Sequence, residues 1–216
     1  MVGGLVWLLY RRLPPASNEA LSVPTPLVAS RRIIIKLAAL FSLDAFAGGL
    51  VINSLMTLWL FQRFNLSLAA AGNFFFCAGL LGALSQLAAP VVAARIGLVN
   101  TMVFTHIPAN LCLILAALAP RVEVAMALLF VRALLSQMDV PARGALVMSV
   151  VTPSERAAAA SFTAVPRSLA AALSPTLGAA LFAAGFLAAP LVACGVLKTA
   201  YDLALWRSFS KHNQKA

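Results

Sequence analysis

Charged residues are scarce in this chain, and acidic residues are the scarcest. Only 6 of the 216 residues are Asp or Glu, against 16 Lys or Arg, and charged residues make up 10% of the chain. Soluble domains carry about 25% charged residues. The chain is instead 62% hydrophobic, with a mean hydropathy of +0.95, which is more apolar surface than a soluble domain of this length can bury. The composition predicts an integral membrane protein that is embedded in the lipid bilayer.

The chain also has few residues that bind metals or cofactors. Cys77, Cys112 and Cys194 lie far apart within apolar runs, and no two cysteines form a CxxC pair. The sequence therefore predicts no metal site, no disulfide framework and no cofactor. The net charge of +10 is compatible with nucleic acid, but the basic residues lie between apolar runs and form no stripe with interleaved aromatics. Nucleic acid is not expected as a partner.

Long apolar runs fill most of the sequence. A membrane-spanning helix needs about 20 mostly apolar residues. Six segments meet this requirement: 33–62, 68–94, 98–119, 122–150, 155–185 and 187–207. The fifth opens with Thr152-Pro-Ser-Glu155, a capping signature at a helix start. The predicted fold is an all-α membrane protein with a six-helix transmembrane bundle over residues 33–207.

The basic residues indicate how the bundle is oriented. If the N-terminal stretch is cytoplasmic, eleven Lys and Arg residues lie on the cytoplasmic side, and only Arg63 and Arg121 lie on the outer side. Cytoplasmic loops of membrane proteins are enriched in this way. The eleven are Arg11, Arg12, Arg31, Arg32, Lys36, Arg95, Arg143, Arg156, Arg207, Lys211 and Lys215. We therefore expect both termini to be cytoplasmic, in a plasma membrane or a bacterial inner membrane.

The N-terminal residues have an unusual order. Residues 1–10, MVGGLVWLLY, are apolar and are followed by Arg11 and Arg12. Ten residues are too few to span a bilayer, and a signal peptide carries its positive charges before the apolar run. We interpret residues 1–12 as the tail of a preceding helix in a truncated chain, with an amphipathic surface anchor as the alternative. Residues 13–32 are predicted to form a cytoplasmic loop, and residues 208–216 a cytoplasmic tail.

The fourth segment carries charges deep within an apolar run. Arg132 lies ten residues from the start of the segment, or about 15 Å deep in a straight helix. Ser136, Asp139 and Arg143 follow at spacings that place all four side chains on one helix face. Such a stripe is expected to face the bundle interior or a water-filled cavity. Pro141 predicts a kink nearby.

Other segments supply charges at a similar depth. Asp44 is expected to pair with Arg132 or Arg167, because an unpaired charge at the membrane centre costs about 2.5–3.5 kcal/mol. Lys198 and Asp202 lie one turn apart and are expected to pair along their own helix. The alternative is a static bundle whose ion pairs are structural and have no role in transport.

Three stretches resemble one half of a major facilitator superfamily transporter. Residues 130–162, FVRALLSQMDVPARGALVMSVVTPSERAAAASF, resemble its fourth-to-fifth helix region, and residues 168–181, SLAAALSPTLGAAL, resemble the small-residue helix that follows. Residues 87–102, LAAPVVAARIGLVNTM, occupy the place of the family's signature loop. Arg95 and Gly97 match that loop, whereas Pro90 and Ala94 replace its first glycine and its aspartate.

The resemblance implies the C-terminal half of a twelve-helix fold that works by alternating access. The partner would be a missing N-terminal half or a second copy of the chain. The first and fourth helices of each half line the solute cavity, which makes Asp44, Asn53 and Arg132 candidate cavity residues. The second and fifth helices meet the other half, which places Gln86 and Arg167 near that interface. The third and sixth helices would face lipid.

A cytoplasmic gate is a second expectation from the charge pattern. Asp139 and Arg143 are expected near the cytoplasmic mouth, with Glu155 and Arg156 across a short loop. Ion pairs among them would close this side and break when it opens. Arg95, in the degenerate signature loop, is counted with the same gate.

The function expected from the sequence is secondary active transport of a small solute, without enzymatic activity. Asp44 would either carry a coupling proton or neutralise an arginine. One alternative is an intramembrane enzyme, although His106 is the only histidine within a span and no serine has a Gly-x-Ser-Gly context. An aquaporin-type channel is disfavoured because it needs two Asn-Pro-Ala motifs, and residues 107–110, IPAN, have the wrong order and occur once. A non-transporting assembly subunit stays open as a further alternative.

Overall fold

A computed structural model describes residues 25–210, and all the regular structure of this part is helical. The eight α-helices are α1 (Arg31–Gly49), α2 (Asn53–Phe64), α3 (Leu68–Ile96), α4 (Leu98–Leu118), α5 (Val122–Ser136), α6 (Asp139–Ser149), α7 (Arg156–Ala183) and α8 (Ala189–Phe209). A single 3-10 turn, Pro153–Glu155, precedes α7. The predicted helix tail over residues 1–12, residues 13–24 of the predicted loop and residues 211–216 of the predicted tail lie outside the described residues.

Four helical stretches are long and apolar enough to cross a membrane. They are Arg31–Phe64, Leu68–Ile96, Leu98–Leu118 and Val122–Ser149. This confirms the expectation of an all-α protein with the character of a membrane protein. The last two helices are long enough but are not apolar enough by the same standard, since α7 contains two prolines and two arginines, and α8 contains Lys198, Asp202 and Arg207.

Two apolar clusters make up the interior, and a layer of buried polar residues lies between them along the helices. On α1, Asp44 comes between Phe41 of one cluster and Leu50 of the other. On α4 and α8 the same position is taken by further buried polar side chains. We call these residues the polar layer: Asp44, His106, Asn110, Lys198 and Asp202.

The first predicted segment is broken into two helices at residues 50–52. The helix α1 ends at Gly49, and α2 begins at Asn53 after an extended Ile52. Glycine is a weak helix former, so the Gly48-Gly49 pair favours an end here. On α7, a Cβ at Gly178 would lie 2.5 Å from the Leu50 carbonyl oxygen. The break is therefore held by a close backbone approach between α7 and residue 50.

The fourth predicted segment is broken as well, between Ser136 and Asp139. Pro141 is the third residue of α6, where its missing N–H has no intrahelical partner to lose. Its ring would clash with the carbonyl group four residues earlier in a continuous helix, which is that of Gln137. The kink expected near Pro141 is therefore a full break one turn before it. The expected single stripe from Arg132 to Arg143 is divided between α5 and α6.

Candidate functional site: a polar layer beneath a cavity at two helix breaks

Asp44 is the centre of the polar layer. Its side chain is buried, and Lys198 Nζ on α8 lies 2.5 Å from its Oδ1 atom, while Arg143 Nη2 on α6 lies 2.8 Å from its Oδ2 atom. Arg143 also forms an ion pair with Asp139 on its own helix, and its guanidinium group lies 5.2 Å from the ring centroid of Phe41. Two carboxylates and two cations therefore neutralise one another, and Asp44 links three helices.

Asp202 forms the second part of the polar layer. It is fully buried, and its Oδ1 lies 3.0 Å from His106 Nδ1. The Asn110 side-chain amide donates to its Oδ2 at 2.9 Å. These contacts join α8 to α4. A buried carboxylate with two partners on a neighbouring helix is a fixed cross-link, because breaking either bond leaves a buried polar group unpaired.

Two of the expected ion pairs are wrong. Asp44 pairs with Arg143 and Lys198 rather than with Arg132 or Arg167. Lys198 and Asp202 form no ion pair with each other, because each side chain is directed to a different helix. The expectation that the third and sixth helices expose these residues also fails, since α4 and α8 bury the polar layer.

A cavity of about 250 Å³ lies where the two helix breaks meet. Val51 and Asn53 come from the first break, and Ser136 and Gln137 come from the second. The remaining lining residues, from α2, α3 and α5, are Met56, Phe74, Phe75, Ala78, Gly79, Leu129, Arg132 and Ala133. Two of the predicted cavity residues, Asn53 and Arg132, are thus brought together. The third, Asp44, is held in the polar layer and does not line this cavity.

Among residues 25–210, Arg132 is the only charged residue that lines this cavity. Its Nε atom is buried and has no hydrogen-bond partner, and it takes part in none of the ion pairs found among residues 25–210. Gln137 accepts a hydrogen bond from Gln86 Nε2 on α3 at 3.3 Å. The cavity therefore combines one positive charge with neutral polar groups.

Arg167 lies elsewhere. It is exposed on α7 and lines a separate cavity of about 260 Å³ with Arg143 and Thr163. The resemblance places Gln86, like Arg167, near the interface between the two halves. Gln86 is exposed on α3 and is linked to the first cavity by its hydrogen bond to Gln137. The predicted cavity group of Asp44, Asn53, Arg132 and Arg167 is therefore divided among three places.

The expected gate residues are also separated. Asp139 and Arg143 do form the expected pair, but as part of the polar layer's ion network. Arg156 is exposed, and Arg95 is exposed at a groove of about 810 Å³ that Asn100 and Pro141 also line. Neither takes part in an ion pair among residues 25–210. The arrangement does not bring the five residues into one cluster.

Glu155 has a different set of partners from those expected. The backbone N–H groups of Val28 and Ala29 donate to its Oε1 at 2.7 and 2.8 Å, and that of Ser30 donates to its Oε2 at 3.1 Å. The Val28 amide, the Ser30 hydroxyl and the other two amides lower the pKa of Glu155 to about 2. Ser30 is the N-cap residue of α1 and makes no side-chain cap of its own. Glu155 therefore supplies the negative charge at this helix start.

Some site residues escaped the sequence analysis. Gln137 was overlooked, although it stands beside Ser136 and four residues before Pro141. From the sequence, Asp202 is expected to pair with Lys198, and no partner is expected for His106. Depth was the available signal for Lys198, because it and Asp44 lie equally far into helices that enter from opposite sides. No signal in the sequence fixed which of several cations Asp44 contacts.

Within the part of the chain that the structure describes, no group of three or more His, Cys, Asp or Glu side chains is placed to hold a metal ion. Comparison of the chain with protein-family models, curated proteins and solved structures finds no match.

Proposed function

We propose that the protein is a secondary active transporter that moves a small polar solute by alternating access, with this bundle acting as one half of a fold like that of the major facilitator superfamily. The observation that carries the proposal is the cavity between the breaks at residues 50–52 and 137–138. Broken helices at membrane depth are tolerated where they line a cavity. Discontinuous helices of this kind form the solute sites of many transporters.

The polar layer supports the same proposal. Alternating access requires groups of helices that move as rigid units. Asp44 binds α1, α6 and α8 together, and Asp202 binds α8 to α4. These four helices are thereby cross-linked beside the cavity, whereas α2 and α3 carry no residue of the layer. In this proposal the cross-linked helices move together, and the cavity opens at their edge.

Two helices expose apolar faces that could contact lipid or a second half of the proposed fold. On α3 the exposed large side chains recur every three or four residues and include Phe76, Leu80, Leu84, Leu87 and Val91. On α7 the corresponding series is Phe162, Val165, Leu169, Leu173 and Leu177. In the proposed arrangement α3 and α7 meet another six-helix half or a second copy of the bundle, as the resemblance implies for the second and fifth helices.

Filling the cavity tests the proposal. Gly79 lines the cavity, and a Cβ there meets nothing within 4 Å, so Gly79→Leu adds bulk at the cavity wall from a position with room for its first carbon. Gly72→Leu is the matched control, because Gly72 lies two turns earlier on α3, is exposed and is equally unobstructed. The full-length protein is reconstituted in vesicles, and uptake of labelled organic acids, sugars, amines and amino acids is compared with protein-free vesicles.

We expect one class of solute to enter faster with the protein present. Gly79→Leu should abolish this uptake, while Gly72→Leu should retain it. Both variants should keep the melting temperature of the parent. Uptake that Gly79→Leu leaves unchanged would show that the cavity is not on the transport path. No uptake of any class, from protein that is folded and inserted, would favour a non-transporting assembly subunit.

A further inference from the structure

We infer that the cavity binds the oxyanion group, a carboxylate or a phosphate, of a small anionic solute, and that Arg132 is the residue that holds it. This inference rests on the proposed function, since it takes the cavity to be the solute site. It goes further by naming the chemical class of the solute. Three independent features of the cavity carry it: an uncompensated charge, an uncapped helix start and the neutral polar groups around them.

The charge of Arg132 lacks a counterion in the bundle. The acidic side chains among residues 25–210 are either bonded to groups other than Arg132 or exposed far from Arg132 along the chain. Asp44, Asp139 and Asp202 are bonded in or next to the polar layer, Glu155 is held by backbone amides, and Glu123 is exposed in the first turn of α5. An arginine in a membrane interior is costly without a partner. The guanidinium group is planar and forms paired hydrogen bonds with carboxylate or phosphate.

The start of α2 reinforces the positive potential. Asn53, the first residue of α2, lines the cavity, and its preceding residue Ile52 provides no side-chain cap. The first N–H groups of a helix have no intrahelical partner, and they carry the positive end of the helix dipole. Anions bind at such positions. Arg132 and the start of α2 therefore both contribute a positive electrostatic potential at this cavity.

The other polar lining groups are neutral. Ser136 and Gln137 offer hydrogen bonds. No Asp or Glu of the described part of the chain lines the cavity, so a cation would find no negative partner among these residues. The volume of about 250 Å³ is at or below the small end of the range for ligand pockets. A compact solute with one oxyanion group suits the space better than a drug-sized molecule.

Protection of Arg132 from an arginine-selective reagent tests the inference without a transport assay. The full-length protein in native membranes is treated with phenylglyoxal, and modification of individual arginines is followed by peptide mass spectrometry. Acetate, lactate and inorganic phosphate are compared with acetamide and lactamide at constant ionic strength in chloride. Arg167, which is exposed and lines a different cavity, is the internal control.

We expect at least one oxyanion to slow modification of Arg132 alone. At ten times its Kd the anion leaves about a tenth of the sites free, so the rate should fall about tenfold. Protection by the carboxylates or by phosphate identifies which oxyanion the cavity prefers. Equal protection of Arg167, or protection by the neutral amides, would overturn the inference, as would no protection by any anion.

A second readout covers the case in which Arg132 reacts poorly. The oxyanion that binds should raise the melting temperature of the protein and of Arg167→Gln, but not that of Arg132→Gln. An equal rise in all three proteins would contradict the role of Arg132. The two proposals fail separately: transport of a neutral solute through the cavity would overturn only the anion inference, whereas protection without transport would overturn only the transporter.

Discussion

Lys198 Nζ lies 2.5 Å from Asp44 Oδ1 and ties the last helix of the bundle to the first. The two residues are 154 positions apart in the sequence. Both are buried, and the second oxygen of Asp44 is taken by Arg143. A buried carboxylate shared by two cations is the partner whose loss leaves the most buried charge uncompensated.

Removal of the Asp44 charge should be more damaging than removal of the Lys198 charge. In Asp44→Asn, Lys198 stays buried without a counterion, and breaking a buried ion pair in this way costs about 3–5 kcal/mol. In Lys198→Met, Asp44 keeps Arg143, so the loss should be smaller. The free energy of unfolding in mixed micelles measures both, with the exposed Arg167→Gln as a control. Equal losses in the two variants would contradict the central place of Asp44.

Asp202 should contribute through both of its partners. Asp202→Leu replaces the carboxylate with a side chain of similar size that has no hydrogen-bonding group, so both His106 and Asn110 lose their partner in a buried position. The expected loss is about 1–3 kcal/mol. Thr199→Val is the control on the same helix, because the Thr199 hydroxyl bonds only to the Gly195 carbonyl one turn away. Equal losses of stability in the two variants would show that the bonds of Asp202 between α8 and α4 do not stabilise the bundle more than a local hydroxyl bond does.

Glu155 should make stability depend on acid. The pKa of Glu155 in the folded state, about 2, lies below the ordinary value of 4.5. The stability that the Glu155 carboxylate contributes is therefore complete above about pH 4.5 and is lost as the pH falls toward 2. The melting temperature of the parent should therefore fall further over this interval than that of Glu155→Gln. Glu123→Gln, which changes an exposed carboxylate, should follow the parent. Parallel curves for the parent and Glu155→Gln would refute the capping role.

Close packing of α7 on the first helix break gives a further prediction. A Cβ at Gly178 would lie 2.5 Å from the backbone oxygen of Leu50, which cannot move as a side chain can. Gly178→Ala should destabilise the protein by about 1–3 kcal/mol. Gly72→Ala, which meets nothing within 4 Å, should be neutral or stabilising, because alanine is the better helix former. A neutral Gly178→Ala would mean that α7 does not approach residue 50 this closely.

The sequence predicted the helical class and the apolar segments because hydropathy and turn residues are local properties. Four of the six segments correspond to stretches apolar enough to cross a membrane. The charged residues in α7 and α8 lower their hydropathy, although Lys198 and Asp202 are buried there. A hydropathy count cannot separate a charge that faces lipid from one that faces other helices.

Partner choice in the polar layer could not be predicted because it depends on helix rotation and on the breaks. Counting along one straight helix places Arg143 far from Asp44, near the membrane surface. The chain is interrupted before Asp139, and from α6 the long arginine side chain reaches Asp44. The cavity also involves the interruptions, since Val51 and Gln137, one from each of them, line the same space as Asn53 and Arg132.

Accessibility of the cavity from the two sides of the membrane tests alternating access most directly, because it needs no substrate. Asn53→Cys and Gln137→Cys are made in the full-length protein with Cys77, Cys112 and Cys194 replaced by serine. A membrane-impermeant thiol reagent is applied to vesicles of each orientation, with Arg121→Cys and Arg156→Cys as controls for the two ends. We predict that each cavity cysteine reacts from both sides and that each control reacts from one side only. Cavity cysteines that react from a single side, or from neither, would contradict the account.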